Sequence, residues 1–173
     1  YCGVVGYKPS FGLISRTGIL KQSSKLDHVG VFGKTVEDVA LFAKTLIKKD
    51  ILDEDTIHYA ADEMLEVCKK GPIFEPKFIF YKTSSWKKIS KESQKAFEFL
   101  LKEFKKNIEV FDEPSYFKDI PKYHQIIHET DMANSFQDYY KKSKKKMGKK
   151  LVEAIERGYK YSAKEYVEAI DFM

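Results

Sequence analysis

The sequence predicts an α/β fold containing a parallel strand pair, and three observations carry that prediction. Phe78–Tyr81 and Ile108–Phe111 are short apolar runs on either side of a segment with helical period, the strand–helix–strand order that parallel pairing requires. Helix starts with recognisable caps recur from Thr35 onward. Before that point the chain is rich in glycine, with six of its nine glycines at or before Gly33. Glycine serves tight turns and close backbone approach, so the first third is expected to be irregular and crowded against something. The expected organisation is a glycine-rich segment over 1–34 and an α/β and helical remainder over 35–173.

Taken in order, Val4, Val5 and Tyr7 form a strand candidate that Pro9 ends, and 12–15 is a second brief extended piece. Thr35 is a good N-cap, with Asp38 placed for a capping box and Glu37 and Asp38 favouring the positive end of the helix dipole. Val36, Val39, Ala40, Ala43, Leu46 and Ile47 then recur at helical spacing. A second amphipathic helix is expected over 57–70, broken by Gly71-Pro72 and Pro76. Phe78–Tyr81 reads as a buried strand. Ser90 opens a helix whose buried stripe is Ala96, Phe97, Leu100, Leu101 and Phe104, and Ile108, Val110 and Phe111 form the second strand. Pro114 and Pro121 lead into a long helix over 122–142. Two more helices follow, near 149–157 and from Ser162, where Ser162 and Glu165 stand at capping-box spacing.

With 173 residues, 43% of them hydrophobic, the chain can bury one sizeable core and reads as one domain or a piece of one. It has no apolar run of the roughly 18 residues that a membrane span needs. Tyr1 to Gly6 carry neither an initiator Met nor a basic region, so no signal peptide is expected, and both ends read as those of an excised segment. Two cysteines, Cys2 and Cys68, make neither a disulfide framework nor a zinc site; partly buried thiols in a reducing, cytoplasmic setting are expected. The net charge of +5 comes mostly from lysine, much of it within 141–150. That run has no Arg and no interleaved aromatics, which nucleic-acid recognition usually recruits. A solvated helix and turn is the expectation, and nucleic acid is not an expected partner.

Two pairs of residues invite chemistry. His124 and His128 would share one helix face, as zinc ligands at this spacing do, but Gln125 stands where the metalloprotease pattern needs Glu. Surface histidines are expected instead. Asp27-His28 lies among glycines and invites a triad with Ser10, Ser23 or Ser24. Adjacent residues in an extended segment point opposite ways, so a turn in which Asp27 accepts from nearby backbone amides is the better reading. Trp86 and the Phe97, Phe99 and Phe104 stripe read as core or half-buried surface, and no phosphate loop is present.

The first 47 residues carry a resemblance. Cys2-Gly-Val-Val-Gly-Tyr-Lys-Pro-Ser-Phe-Gly12, then Ser15-Arg16 and Gly18, then Ser24-Lys-Leu-Asp-His-Val-Gly30, then Lys34-Thr-Val-Glu-Asp-Val-Ala-Leu41 stand in the order and spacing of the amidase signature family. Phe78 to Trp86, His128 to Phe136 and Leu151 to Ala163 are more diffusely similar to the stand-alone amidases of that family than to the glutamyl-tRNA(Gln) amidotransferase A subunit.

The resemblance implies an α/β/α sandwich with a mixed β-sheet, of which residues 1–173 would be an incomplete, middle-to-C-terminal portion. It implies an amide hydrolase acting on a small-molecule amide, with a nucleophilic Ser activated through a cis-Ser and a Lys, and with no metal or organic cofactor. In the family these three residues precede the position of Cys2, so no catalytic residue is carried onto this chain and the segment by itself is expected to be inactive. Phe11, Asp27 and His28 are the residues placed nearest the substrate pocket. A homo-oligomer is compatible with this reading. The alternatives are a piece of the amidotransferase A subunit or a non-catalytic, lysine-rich interaction module.

Overall fold

Val5–Tyr7 (β1) pairs antiparallel with Val31–Gly33 (β2) in the computed structural model, which describes residues 2–104 and 106–173. The register sets Val5 opposite Gly33 and Tyr7 opposite Val31, and the long excursion between the two strands is the glycine-rich segment. The extended piece expected near 12–15 is present as a single bridge between Ile14 and Ile47. Helix α1 (Val36–Leu46) starts on the full capping box of Thr35 and Asp38. Its Val39 and Ala43 meet Leu13, Ile14, Val31 and Ile47 in one buried cluster, so the helix backs the strand pair.

The second helix is shorter than its sequence period. Helix α2 runs only from Met64 to Lys70. The stretch before it is tied elsewhere: the Ile57 amide donates to the Gly12 carbonyl at 2.9 Å, and Lys44 Nζ to the Asp62 carbonyl at 2.8 Å. Backbone groups satisfied by tertiary partners have no need of a helical ladder.

The chain folds as two compact units, Tyr1–Gly71 with Tyr123–Met173, and Pro72–Lys122. In the second unit β3 (Phe78–Lys82) and β4 (Ile108–Asp112) pair in parallel, Phe78 opposite Ile108, with α3 (Lys91–Glu103) between them in sequence. The strand–helix–strand expectation is met, and Ser90 caps α3 as expected. The expected burial is not. Phe78 and Phe80 face the helix side, where Phe80 meets Trp86 and Phe97 at 5.5 and 5.4 Å and Phe78 meets Phe104 at 5.2 Å. Ile79 and Tyr81 point to the other face and are exposed. An all-apolar strand is buried only when both faces of its sheet are covered, and within this unit one helix covers one face. Contact on the covered side is also partial: Phe78 is exposed there, and the stripe of α3 is mostly exposed.

The expected single helix over 122–142 is two, α4 (Ile120–Ser135) and α5 (Gln137–Ser143). The break falls at Phe136, whose ψ of 8° leaves the helical range while its ring stays buried with Met132, Ala133 and Ile155. The bend turns Tyr140 toward α6 (Lys149–Gly158), where its hydroxyl donates to Glu156 at 2.9 Å. Helix α7 (Ala163–Phe172) begins on the Ser162–Glu165 capping box and packs Ala169 against Ile126 and Ile127 of α4. Both cysteines are free thiols; Cys68 is half-buried as expected, but Cys2 is exposed. No described helix is long and apolar enough to cross a membrane.

Candidate functional site

One guanidinium braces the glycine-rich excursion between β1 and β2 at several points. After β1 the chain turns at Gly12, whose φ of +80° suits glycine and whose missing Cβ leaves room for the Asp55 carbonyl. Arg16, four residues on, is buried. Its Nε and Nη2 grip Asp53 through both carboxylate oxygens at 3.0 and 2.8 Å, its own amide donates to Asp53 at 2.8 Å, Nη2 also reaches Asp55, and Nη1 donates to the Ser24 carbonyl at 2.7 Å. The bond from Arg16 holds the Asp53 carboxyl well below the usual range despite its burial, and the bond to Asp53 holds the guanidinium firmly protonated. One bidentate pair thus joins three separated stretches of chain.

Phe11 lies against this pair. The Arg16 guanidinium sits 4.8 Å from the Phe11 ring centroid, and the His28 ring meets Phe11 edge-on at 5.4 Å. His28 Nδ1 lies 2.9 Å from the Leu26 carbonyl. A carbonyl only accepts, so Nδ1 donates in this contact. Asp27 accepts from the amides of Gln22 and Ser23 at 2.7 and 3.1 Å, which is the turn expected of it. Asp27 and His28 line an open pocket of about 440 Å³ with Lys8, Arg16, Leu20 and Gln22, and Phe11 stands behind that wall. The three residues chosen from sequence are therefore neighbours, with only two of them on the pocket surface.

The arrangement is no triad. Asp27 is occupied by backbone amides, and the Ser23 hydroxyl donates to Asp131 at 2.6 Å. Asp131 is buried on α4 and also accepts from the Tyr166 hydroxyl of α7 at 2.8 Å, so it ties the excursion to both helices. Burial first, and then the bond to Asp131, pushes Tyr166 up to about 12. Its folded value lies above its unfolded value of about 10, so this contribution to stability is complete below about pH 10 and disappears as pH rises through about 12. Urea midpoints of the protein and of Tyr166→Phe are expected to converge over that interval. A constant gap would show that the phenol is not protected.

His124 and His128 stack at 5.7 Å, and His128 Nε2 lies 3.3 Å from Gln22 Oε1. Among the described residues no cluster of three or more His, Cys, Asp or Glu could hold a metal ion. The features that sequence reasoning missed are Arg16 with Asp53 and Ser23 with Asp131.

A capped helix behind a glycine-rich antiparallel pair, with a separate parallel βαβ unit, defines an α/β protein. The sequence profile of the amidase family matches residues 1–171, and the chain belongs to that family. Over 57 residues it is 51% identical to the A subunit of the glutamyl-tRNA(Gln) amidotransferase of Synechococcus sp. (strain JA-3-3Ab), a match covering 33% of this chain and 11% of that protein. The mitochondrial A subunit of Dictyostelium discoideum is 54% identical over 56 residues, 32% of this chain and 10% of that one. The matched stretch is thus about a tenth of the length of these relatives. Among solved structures, a vestigial protein complex described as revealing the origins of an s-triazine catabolic enzyme superposes with a TM-score of 0.82 at 20% identity, covering 99% of this chain and 37% of that one. The 6-aminohexanoate cyclic dimer hydrolase complexed with substrate gives 0.75 at 17%, covering 99% and 38%. At these identities the likeness is one of fold.

Proposed function

We propose that the protein to which these residues belong hydrolyses a small-molecule carboxamide to a carboxylate and ammonia or an amine, and that residues 1–173 are the middle-to-C-terminal portion of its amidase domain. The observation that carries this reading is the family match from residue 1 to residue 171. In the proposed chemistry a Ser attacks the amide carbon, a cis-Ser relays its proton, and a Lys accepts it. That Lys must be neutral, which burial and hydrogen bonding arrange. Backbone amides of a glycine-rich loop stabilise the tetrahedral oxyanion. All three catalytic residues are placed ahead of the glycine-rich block, and no metal or organic cofactor is invoked. The residues present here supply support: the Arg16–Asp53 pair fixes the excursion, and Asp27 and His28 form part of a substrate-pocket wall that Phe11 backs through its contacts with His28 and Arg16. The free thiols favour a cytoplasmic setting.

Labelling with a fluorophosphonate probe tests the assignment. The 173 residues alone are expected to remain unlabelled, whereas a chain extended to include the preceding serine block is expected to label on a serine of that block. Labelling of the 173 residues would place the nucleophile here and overturn the proposal.

The near-50% identity to the amidotransferase over the glycine-rich block supports a second reading, a piece of its A subunit. Salt-sensitive tRNA binding, together with co-purification of a B-type subunit, would favour it. Turnover of a small amide without any partner protein would favour the first.

A further inference from the structure

The lysine run folds around a feature that its composition does not reveal. Between α5 and α6 lies an apolar groove of about 400 Å³, lined by Leu20, Phe136, Tyr139, Met147, Gly148 and Leu151, with Lys146 on its wall. Phe136 is buried, and Met147 and Leu151 pack on the same cluster, so the floor is part of the core. The lysines around it divide into two groups. Lys144 is held by Glu156 at 2.6 Å, Lys149 lies 3.9 Å from Glu153, and Lys141 donates to Gln137. Among the described residues Lys142, Lys145, Lys146 and Lys150 are exposed and meet no carboxylate.

We propose that this groove docks an acidic peptide segment of a partner protein, seating one apolar side chain between α5 and α6 while Lys142, Lys145, Lys146 and Lys150 hold its carboxylates. Lys146 lines the groove, and Lys142, Lys145 and Lys150 stand within four residues of it in sequence; ammonium groups that meet no carboxylate repel one another, and a segment bearing carboxylates relieves that repulsion. The concave apolar floor supplies what charge alone lacks, a pocket for an anchor residue. The shape favours a peptide over a bilayer, because an interfacial helix enters lipid with projecting apolar side chains, whereas Phe136 at the floor is buried in the core. The rim chemistry favours a peptide over nucleic acid, since the run has lysine without arginine. The inference is independent of the hydrolase reading.

The test uses the full chain and a fluorescein-labelled peptide of mixed Glu and Asp around a single central Leu, followed by anisotropy. Binding is expected to weaken about tenfold for Lys142→Glu/Lys146→Glu, and severalfold between low salt and about 0.15 M. A peptide with Ala in place of Leu is expected to bind about tenfold more weakly. Gly148 has φ −64° and open space where a Cβ would stand. Gly148→Phe therefore fills the groove without backbone strain and is expected to erase the Leu-over-Ala preference while leaving the salt dependence. Equal binding of the Leu and Ala peptides would overturn the proposal, as would indifference to the lysine reversals. Tighter binding to vesicles containing phosphatidylserine or to single-stranded RNA would also overturn it, and so would association of the chain with itself that excludes the peptide. The Leu/Ala and salt comparisons use the unmodified chain and stand even if a variant fails to fold.

Discussion

Arg16→Ala is expected to lower stability by about 3–5 kcal/mol, the usual effect of removing one partner from a buried ion pair. The substitution leaves the Asp53 carboxylate, 2% exposed, with only the backbone donor of the three that residue 16 gives it. The Ser24 carbonyl loses its donor and the Phe11 ring loses its cation in the same change. Arg16→Lys keeps the charge and loses the fork, so it should recover only part of the loss. Equilibrium urea unfolding measures both. A loss below about 1 kcal/mol for Arg16→Ala would mean that the pair is solvated and contributes as a surface bridge does.

The second large effect is expected at Asp131. Asp131→Leu removes the shared acceptor of the Ser23 and Tyr166 hydroxyls. Ser23 is fully buried, and a buried hydroxyl without a partner costs about 1–3 kcal/mol. With the half-buried Tyr166 hydroxyl also affected, a loss of about 2–4 kcal/mol is expected. The triple change Ser23→Ala/Asp131→Leu/Tyr166→Phe removes donors and acceptor together and should be closer to the parent than Asp131→Leu alone. If the triple variant is the less stable by the sum of its parts, the three groups do not form a network.

The helix starts were legible because caps are local chemistry: Thr35 with Asp38, and Ser162 with Glu165, bond within three residues of each other. The parallel pair was legible because strand–helix–strand order constrains topology. Burial of β3 was not, since an apolar run states what a strand could bury and not what covers it. The length of the second helix was hidden for a related reason, as the stretch ahead of Met64 is tied to distant partners, Ile57 to Gly12 and Asp62 to Lys44.

The candidate site was legible in part. Asp27 behaves as a turn residue, which spacing alone predicted. Arg16 left a signal that could have been read. The chain has 31 Lys and Arg together, and only Arg16 and Arg157 are arginine. Both engage a buried carboxylate through more than one bond, Arg16 with Asp53 and Arg157 with Glu129. In a chain this biased toward lysine, each arginine marks a place where a planar fork is needed and a point charge will not serve. The acceptors carried no such mark, because Asp53 and Asp131 lie 37 and 108 residues from their partners.

Those separations have a consequence for the order in which the protein assembles. A bond spanning 108 residues closes a long loop, and such closures come late because their entropy is spent before any contact rewards it. Strand β1 and helix α1 can meet early, but the excursion between β1 and β2 cannot be finished until α4 and α7 arrive. During synthesis the ribosome would release the pocket wall unfastened, and its last stitch would be set only when Tyr166 emerges to share Asp131.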